Sequence, residues 1–194
     1  MVEGSLYNNL STRKQSTRKI LATPMKTTDK VNSLSHTINE LRRLVEDWEK
    51  KLSLLSEDII QDKKNRQGRN IKQILGHMID SACNNHQRIV RLQYTPRLMF
   101  PDYTPDNNLW IDLQAYTEEN WENMVQLWKF YNLHIAHIMT HADKTKLHTE
   151  WTNGSEGPVS LKDIMMNYLA HFMLHVGEIE SILKHSEIGE KARA

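Results

Sequence analysis

Four stretches of this chain repeat their apolar residues at intervals of three and four, and proline, glycine or a polar run separates each from the next. That period belongs to the α-helix, and stripes of such length have to be buried against one another. The first runs from about Asp29 to Leu55, with Leu34, Ile38, Leu41, Val45, Trp48 and Leu52 on its stripe and Asp29 or Ser33 placed to cap it. A polar connector, Gln61–Gly68, leads to the second. This helix is expected to start after Asn70, a good N-cap, and to reach about Tyr94 through Ile71, Ile74, Leu75, Met78, Ala82, Ile89 and Leu92. The third opens at Thr117 and runs to about Thr140, carrying Trp121, Met124, Val125, Trp128, Tyr131, Ile135 and Met139. The fourth begins at Ser160, where Asp163 resembles a capping box with Asp in place of the usual Glu. Its stripe is Leu161, Ile164, Met165, Tyr168, Phe172, Val176, Ile179 and Leu183.

With no internal repeat and no strand-rich region, these patterns predict an all-α fold. The expected architecture is a four-helix bundle over residues 25–187, with long loops between helices 2 and 3 and between helices 3 and 4. Residues 188–194 are read as a C-terminal tail. The loop Thr95–Ala115 contains Pro96, Pro101 and Pro105, which forbid regular helix, and also Phe100, Tyr103 and Trp110. It is too aromatic for an idle linker and is expected to cover a site. The second loop, from about Ala142 to Pro158, holds Trp151 and the turn formers Asn153-Gly154 and Gly157-Pro158.

Charge narrows the class of function. Residues 1–24 hold Arg13, Lys14, Arg18 and Lys19 against Glu3, a net of +3, which leaves −2 for the remainder of a chain whose total is +1. A bundle leaning acidic argues against nucleic acid as a partner, and no apolar run is long enough to span a membrane. The first 24 residues have no helical periodicity. Their basic, hydroxyl-rich composition matches an organellar transit peptide, but the favoured reading is a disordered basic tail or an extension upstream of a start at Met25. Cys83 is the single cysteine, so no internal disulfide is possible and a reducing, cytoplasmic setting is expected. Its place in an apolar helical pattern predicts a buried structural thiol.

Ten histidines are many for 194 residues. In the fourth helix His171 and His175 stand four apart, hence on one face. On a helical wheel His175 lies about 40° and His171 about 80° from the centre of the apolar stripe, so both point inward or flank the core. Two buried imidazoles without a shared partner would leave polar atoms unsatisfied, which makes a metal ion an alternative equal in weight to two core histidines. His134, His137 and His141 of the third helix have similar spacing but fall roughly 100–160° from its stripe and read as solvated. The second helix is the better partner. His77 edges its core stripe, and Ser81, Asn84 and Arg88 follow on the same flank, as either a solvent-facing margin or a strip turned toward His171 and His175. On the second reading three imidazoles from two helices bind one divalent ion. His86 reads as a packing or supporting residue, and Asp80 and Glu178 as carboxylates that orient ligand imidazoles.

The segment Leu75-Gly-His77-Met-Ile-Asp80-Ser81 with Asn84-Asn85-His86-Gln87-Arg88, followed later by Tyr168-Leu-Ala-His171-Phe-Met-Leu-His175, resembles the DinB-like/YfiT-like superfamily over about Lys30 to Lys184. The resemblance implies a four-helix bundle with His77, His171 and His175 as ligands of zinc or nickel, often in a homodimer. It implies metal-dependent hydrolases, with branches that are thiol-dependent transferases or isomerases using bacillithiol or mycothiol. The isomerase branch has Glu at the position matching His171, where this chain has His.

The expected function is therefore a metal-dependent enzyme acting on a small-molecule substrate. Its three-histidine site would activate water, as a hydrolase, or a low-molecular-weight thiol, as an S-transferase. Arg88 is expected to hold a substrate carboxylate and Glu178 to take part in catalysis, with Asp80, Ser81 and Asn84 supporting the ligands. No obvious general base stands beside the site, so a non-catalytic metal-binding bundle, acting as a sensor or interaction protein, is the alternative. A metal-free structural bundle is a third.

Overall fold

The computed structural model describes residues 27–103, 106–155 and 157–191. The tail read over residues 1–24 lies outside them. The described residues form α1 (Thr27–Leu52), α2 (Glu57–Asp62), α3 (Ile71–Arg91), β1 (Arg97–Met99), α4 (Asn107–Leu113), α5 (Trp121–His141), β2 (Glu150–Thr152), β3 (Val159–Ser160) and α6 (Leu161–Lys191). The long helices α1, α3, α5 and α6 are the four predicted ones, and the fold is the expected four-helix bundle.

Each long helix packs on two others: α1 and α3 both lie against α5 and α6. Trp121 Nε1 donates to Leu52 O at 3.0 Å and Arg42 Nη2 to Thr140 Oγ1 at 2.8 Å, so α1 and α5 run antiparallel. The interior is filled by the predicted stripes, with Leu41, Val45, Leu75, Trp128, Ile135 and Leu161 fully buried. One polar pair crosses it. Tyr168 Oη donates to Asn132 Oδ1 at 2.6 Å, and Asn132 Nδ2 donates to Trp128 O at 2.7 Å, so this buried amide is bonded at both ends.

Helix starts follow local chemistry. Asn70 caps α3 with a full capping box: its side chain accepts from Gln73 N at 2.9 Å, and Gln73 Oε1 accepts from Asn70 N at 3.1 Å. At α6, Ser160 Oγ accepts from Asp163 N at 3.1 Å and donates to Asp163 Oδ2 at 2.6 Å. The α5 cap is Asn120, whose side chain accepts from Asn123 N; the expected start at Thr117 falls three residues early.

The loops hold more order than the sequence suggests. A short helix, α2, stands between α1 and the polar connector and overlaps it only at Gln61 and Asp62, and the α3–α5 loop includes β1 and α4. β1 pairs parallel to β2, and β2 antiparallel to β3, forming a small sheet that ties the two long loops together. Trp151 in β2 donates from Nε1 to Phe100 O at 2.8 Å, which fixes the first loop just before Tyr103.

Candidate metal centre

α3 and α6 lie side by side and antiparallel, so one turn forward along α3 matches one turn back along α6. His77 meets His175, and Ser81 meets His171, with Ser81 Oγ 3.3 Å from His171 Nδ1. The i, i+4 spacing in α6 brings the His171 and His175 rings together edge to face. One ring nitrogen from each of His77, His171 and His175 lies within 4.8 Å of the others, and this is the one such cluster of potential ligands among the described residues. Ring centroids are 4.4 Å apart for His171–His175, 4.6 Å for His77–His175 and 5.3 Å for His77–His171.

His77 and His175 are buried and His171 is half-buried. Burial, then the neighbouring imidazoles and Arg69, push the pKa of His77 down to about 3. Burial and His175 push that of His171 down to about 4. Both are therefore neutral at physiological pH, the state in which imidazole offers a lone pair.

The outer nitrogens are held from behind. His175 Nδ1 lies 3.1 Å from Glu178 Oε2, which also accepts from Asn65 Nδ2 at 3.2 Å. A carboxylate only accepts, so this contact puts the proton on Nδ1 and leaves Nε2 with its lone pair. That Nε2 faces His171 Nε2 at 3.1 Å. Two ring nitrogens so close need a proton or a cation between them, and His77 Nδ1 is buried with no hydrogen-bond partner among the described residues. A donor set of three convergent imidazoles, with Ser81 and Glu178 behind them, fits a divalent cation.

Asp80 does not orient an imidazole, contrary to expectation. Three positions beyond His77, it points about 60° around the helix, toward the loop. There its Oδ1 accepts from Tyr116 Oη at 2.7 Å and Gln114 Nε2 at 2.8 Å, and burial raises its pKa. Gly76 makes this possible: a Cβ there would stand 2.2 Å from Tyr116 Cδ2, so the ring lies directly on the helix backbone. Asn84 is buried on the same flank with Oδ1 unpartnered among the described residues, and no hydrogen bond joins it to the imidazoles.

Arg88 also departs from its expected role. Its Nη2 donates to Asp102 Oδ1 at 2.8 Å, and its guanidinium lies 3.7 Å from the Trp151 ring centroid. The carboxylate it meets is the protein's own, and it clamps both long loops onto α3. Beside that clamp, the Tyr103 ring lies 5.9 Å from His77 and 5.0 Å from Trp110, so the aromatic loop covers the site. Burial pushes the Tyr103 phenol pKa up, against a hydrogen bond with Ser81.

The other histidines stand apart. His134, His137 and His141 are exposed on α5, as expected. His86 packs against Tyr131, with Nδ1 3.3 Å from its hydroxyl. Cys83 is exposed rather than buried, because its position on α3 falls beside the α5 contact and not beneath it. A cleft of about 1150 Å³ lies between the α2–α3 connector and α6 and reaches the site only through Glu178. Arg69, Gln114 and Tyr116 carry no motif or spacing in the sequence that marks them as site residues. The glycine directly before His77 is the one local signal that something packs tightly there.

No protein-family model matches the sequence, and no curated protein does. Among solved structures the chain is similar to YfiT from Bacillus subtilis, described as a probable metal-dependent hydrolase with an unusual four-helix bundle topology. The match has a TM-score of 0.69 and 11% identity, covering 86% of this chain and 92% of that one. At that identity the likeness speaks for architecture, and the chain has the YfiT-type four-helix bundle fold.

Proposed function

We propose that His77, His171 and His175 hold one divalent cation, zinc or nickel, and that the protein is a metal-dependent enzyme acting on a small molecule. The nucleophile is water, as in a hydrolase, or a low-molecular-weight thiol, as in an S-transferase. The observation that carries this reading is the convergence of three ring nitrogens within 4.8 Å of one another. The description of YfiT as a probable metal-dependent hydrolase supports it. When bound, a cation on three neutral ligands supplies Lewis acidity and lowers the pKa of a coordinated water or thiol.

The chain's own residues do the positioning. Glu178 keeps the proton of His175 on Nδ1 and so turns Nε2 inward. Ser81 holds the outer edge of His171. Tyr103 and Trp110 roof the imidazoles and limit water there. Arg88, bound to Asp102, keeps that roof in place.

Metal analysis of protein purified without chelator tests the site. About one equivalent is expected; less than about 0.2 equivalents, with no uptake on titration, would sink the reading. Ester and amide hydrolysis and thiol conjugation should then be assayed for wild type and His175→Ala. Activity that survives the substitution does not come from this centre.

A further inference from the structure

Three cationic side chains are buried among the described residues: Arg69, Lys72 and Arg88. Lys72 pairs with Glu57 at 3.3 Å and Arg88 with Asp102 at 2.8 Å. Arg69, 9% exposed, pairs with no carboxylate among the described residues. Its Nη2 donates to the side-chain oxygens of Asn107 at 2.6 Å and Asn108 at 2.5 Å, both neutral acceptors. Its Nε is buried without a partner. A guanidinium has five N–H donors in a planar fork, so three of them remain for something else.

Stability does not explain this arrangement. A buried charge without a counter-charge is unfavourable, and a cation just before a helix opposes the positive end of the helix dipole. Arg69 immediately precedes Asn70, the cap of α3. It stands about two turns of α3 before His77, held by the short helix that carries part of the roof over the three-histidine site. Helical side chains lean toward the N-terminus of their helix, so the His77 ring tilts toward the end of α3 where Arg69 stands. The asparagines that hold it open the same short helix that carries Trp110, in the roof over His77.

We infer that Arg69 is the anion-binding residue of this site and that the substrate or co-substrate carries a carboxylate, which supplies the missing counter-charge. The group at the imidazoles and the carboxylate at Arg69 then fix the ligand at two points. Arg88, already neutralised by Asp102, leaves this role to Arg69. The inference rests on the metal-site reading above, and its test separates the two.

The first measurement needs no metal. Metal-free wild type and Arg69→Gln are melted in succinate and in chloride at matched ionic strength, with circular dichroism confirming that both fold. Succinate should raise the melting temperature of wild type relative to chloride and leave that difference absent in the variant. In the second, cobalt-loaded protein is titrated with mercaptocarboxylates of two to four carbons and with the matching mercaptoalcohols, following the thiolate-to-cobalt absorption. Wild type should bind the best carboxylate about tenfold or more tighter than its alcohol, and Arg69→Gln should lose that preference while keeping its affinity for alcohols. Arg69→Lys, which keeps the charge without the fork, should fall between and serves if the Gln variant does not fold. Equal succinate effects in wild type and variant, or a carboxylate preference that survives Arg69→Gln, overturn the role of Arg69. Failure of wild type to take up cobalt overturns the metal reading, and the melting experiment still decides Arg69.

Discussion

His77 and His171 carry the clearest residue-scale consequence. Their folded pKa values, about 3 and about 4, lie well below that of a free imidazole. Above pH 6.5 both are neutral folded or unfolded and contribute nothing. As pH falls below 6.5 the unfolded chain takes up protons that the folded protein refuses, so stability falls, and the loss continues until the folded values are reached. For the metal-free protein each contributes a slope of up to about 1.4 kcal/mol per pH unit in that window. Denaturant unfolding at pH 7 and pH 5, above the range where carboxylates dominate, should show the drop, and equal stability at the two would refute it. Glu178 offers a second test. Glu178→Gln keeps the shape but no longer fixes the His175 tautomer, so metal affinity should fall about 10- to 100-fold with the helix content unchanged; an unaltered affinity would make the Glu178 contact incidental. The three imidazoles were legible because i, i+4 spacing and wheel position are local properties of a helix. The roles of Arg69 and Asp80 were not, since both depend on where the loop residues Asn107, Asn108, Gln114 and Tyr116 come to rest.

Among the elements, α3 is the one on which the site is built, and its surface is shaped by what it omits. Gly76 costs about 1 kcal/mol of helix propensity relative to alanine. In exchange the Tyr116 ring rests on the backbone and its hydroxyl reaches Asp80. In Gly76→Ala the new methyl meets the Cδ2 side of that ring, which cannot swing aside as a flexible chain end would. Overpacking should outweigh the propensity gain and destabilise the protein by about 1–2 kcal/mol net, where a simple helix surface would be stabilised. Chemical denaturation gives the sign directly. Between α5 and α6, Tyr168→Phe removes the donor to the fully buried Asn132 Oδ1 and should cost about 1–3 kcal/mol for the orphaned acceptor. A cost near zero would mean that Asn132 finds another donor. The stripes of these helices were readable from period alone, and so were the caps at Asn70 and Ser160, which are short-range. The strands were not: two or three residues carry no measurable alternation, and their pairing joins segments some fifty residues apart.

At the scale of the whole molecule, four stripes say that a bundle forms but not which helices become neighbours. The long loops permit more than one order, and only the packing sets α3 beside α6. That choice brings the second and the last of the four long helices to a single ligand cluster, so a bound ion would cross-link segments separated by about ninety residues. The unfolded chain has no such convergence, and binding to the folded state alone adds stability by mass action. At free metal 1,000 times the dissociation constant the gain is about 4 kcal/mol. For a domain of this size each kcal/mol moves the melting temperature by about 2–4 °C, so zinc or nickel should raise it by on the order of 10 °C, and a chelator should reverse the rise. The increment should be largely lost in His77→Ala and in His175→Ala alike, because either substitution unties one helix from the ion. A rise retained in His77→Ala but lost in His175→Ala would place the ion on α6 alone. The cross-link would then be absent, and the gain would come from two histidines of α6 rather than from the junction of α3 and α6.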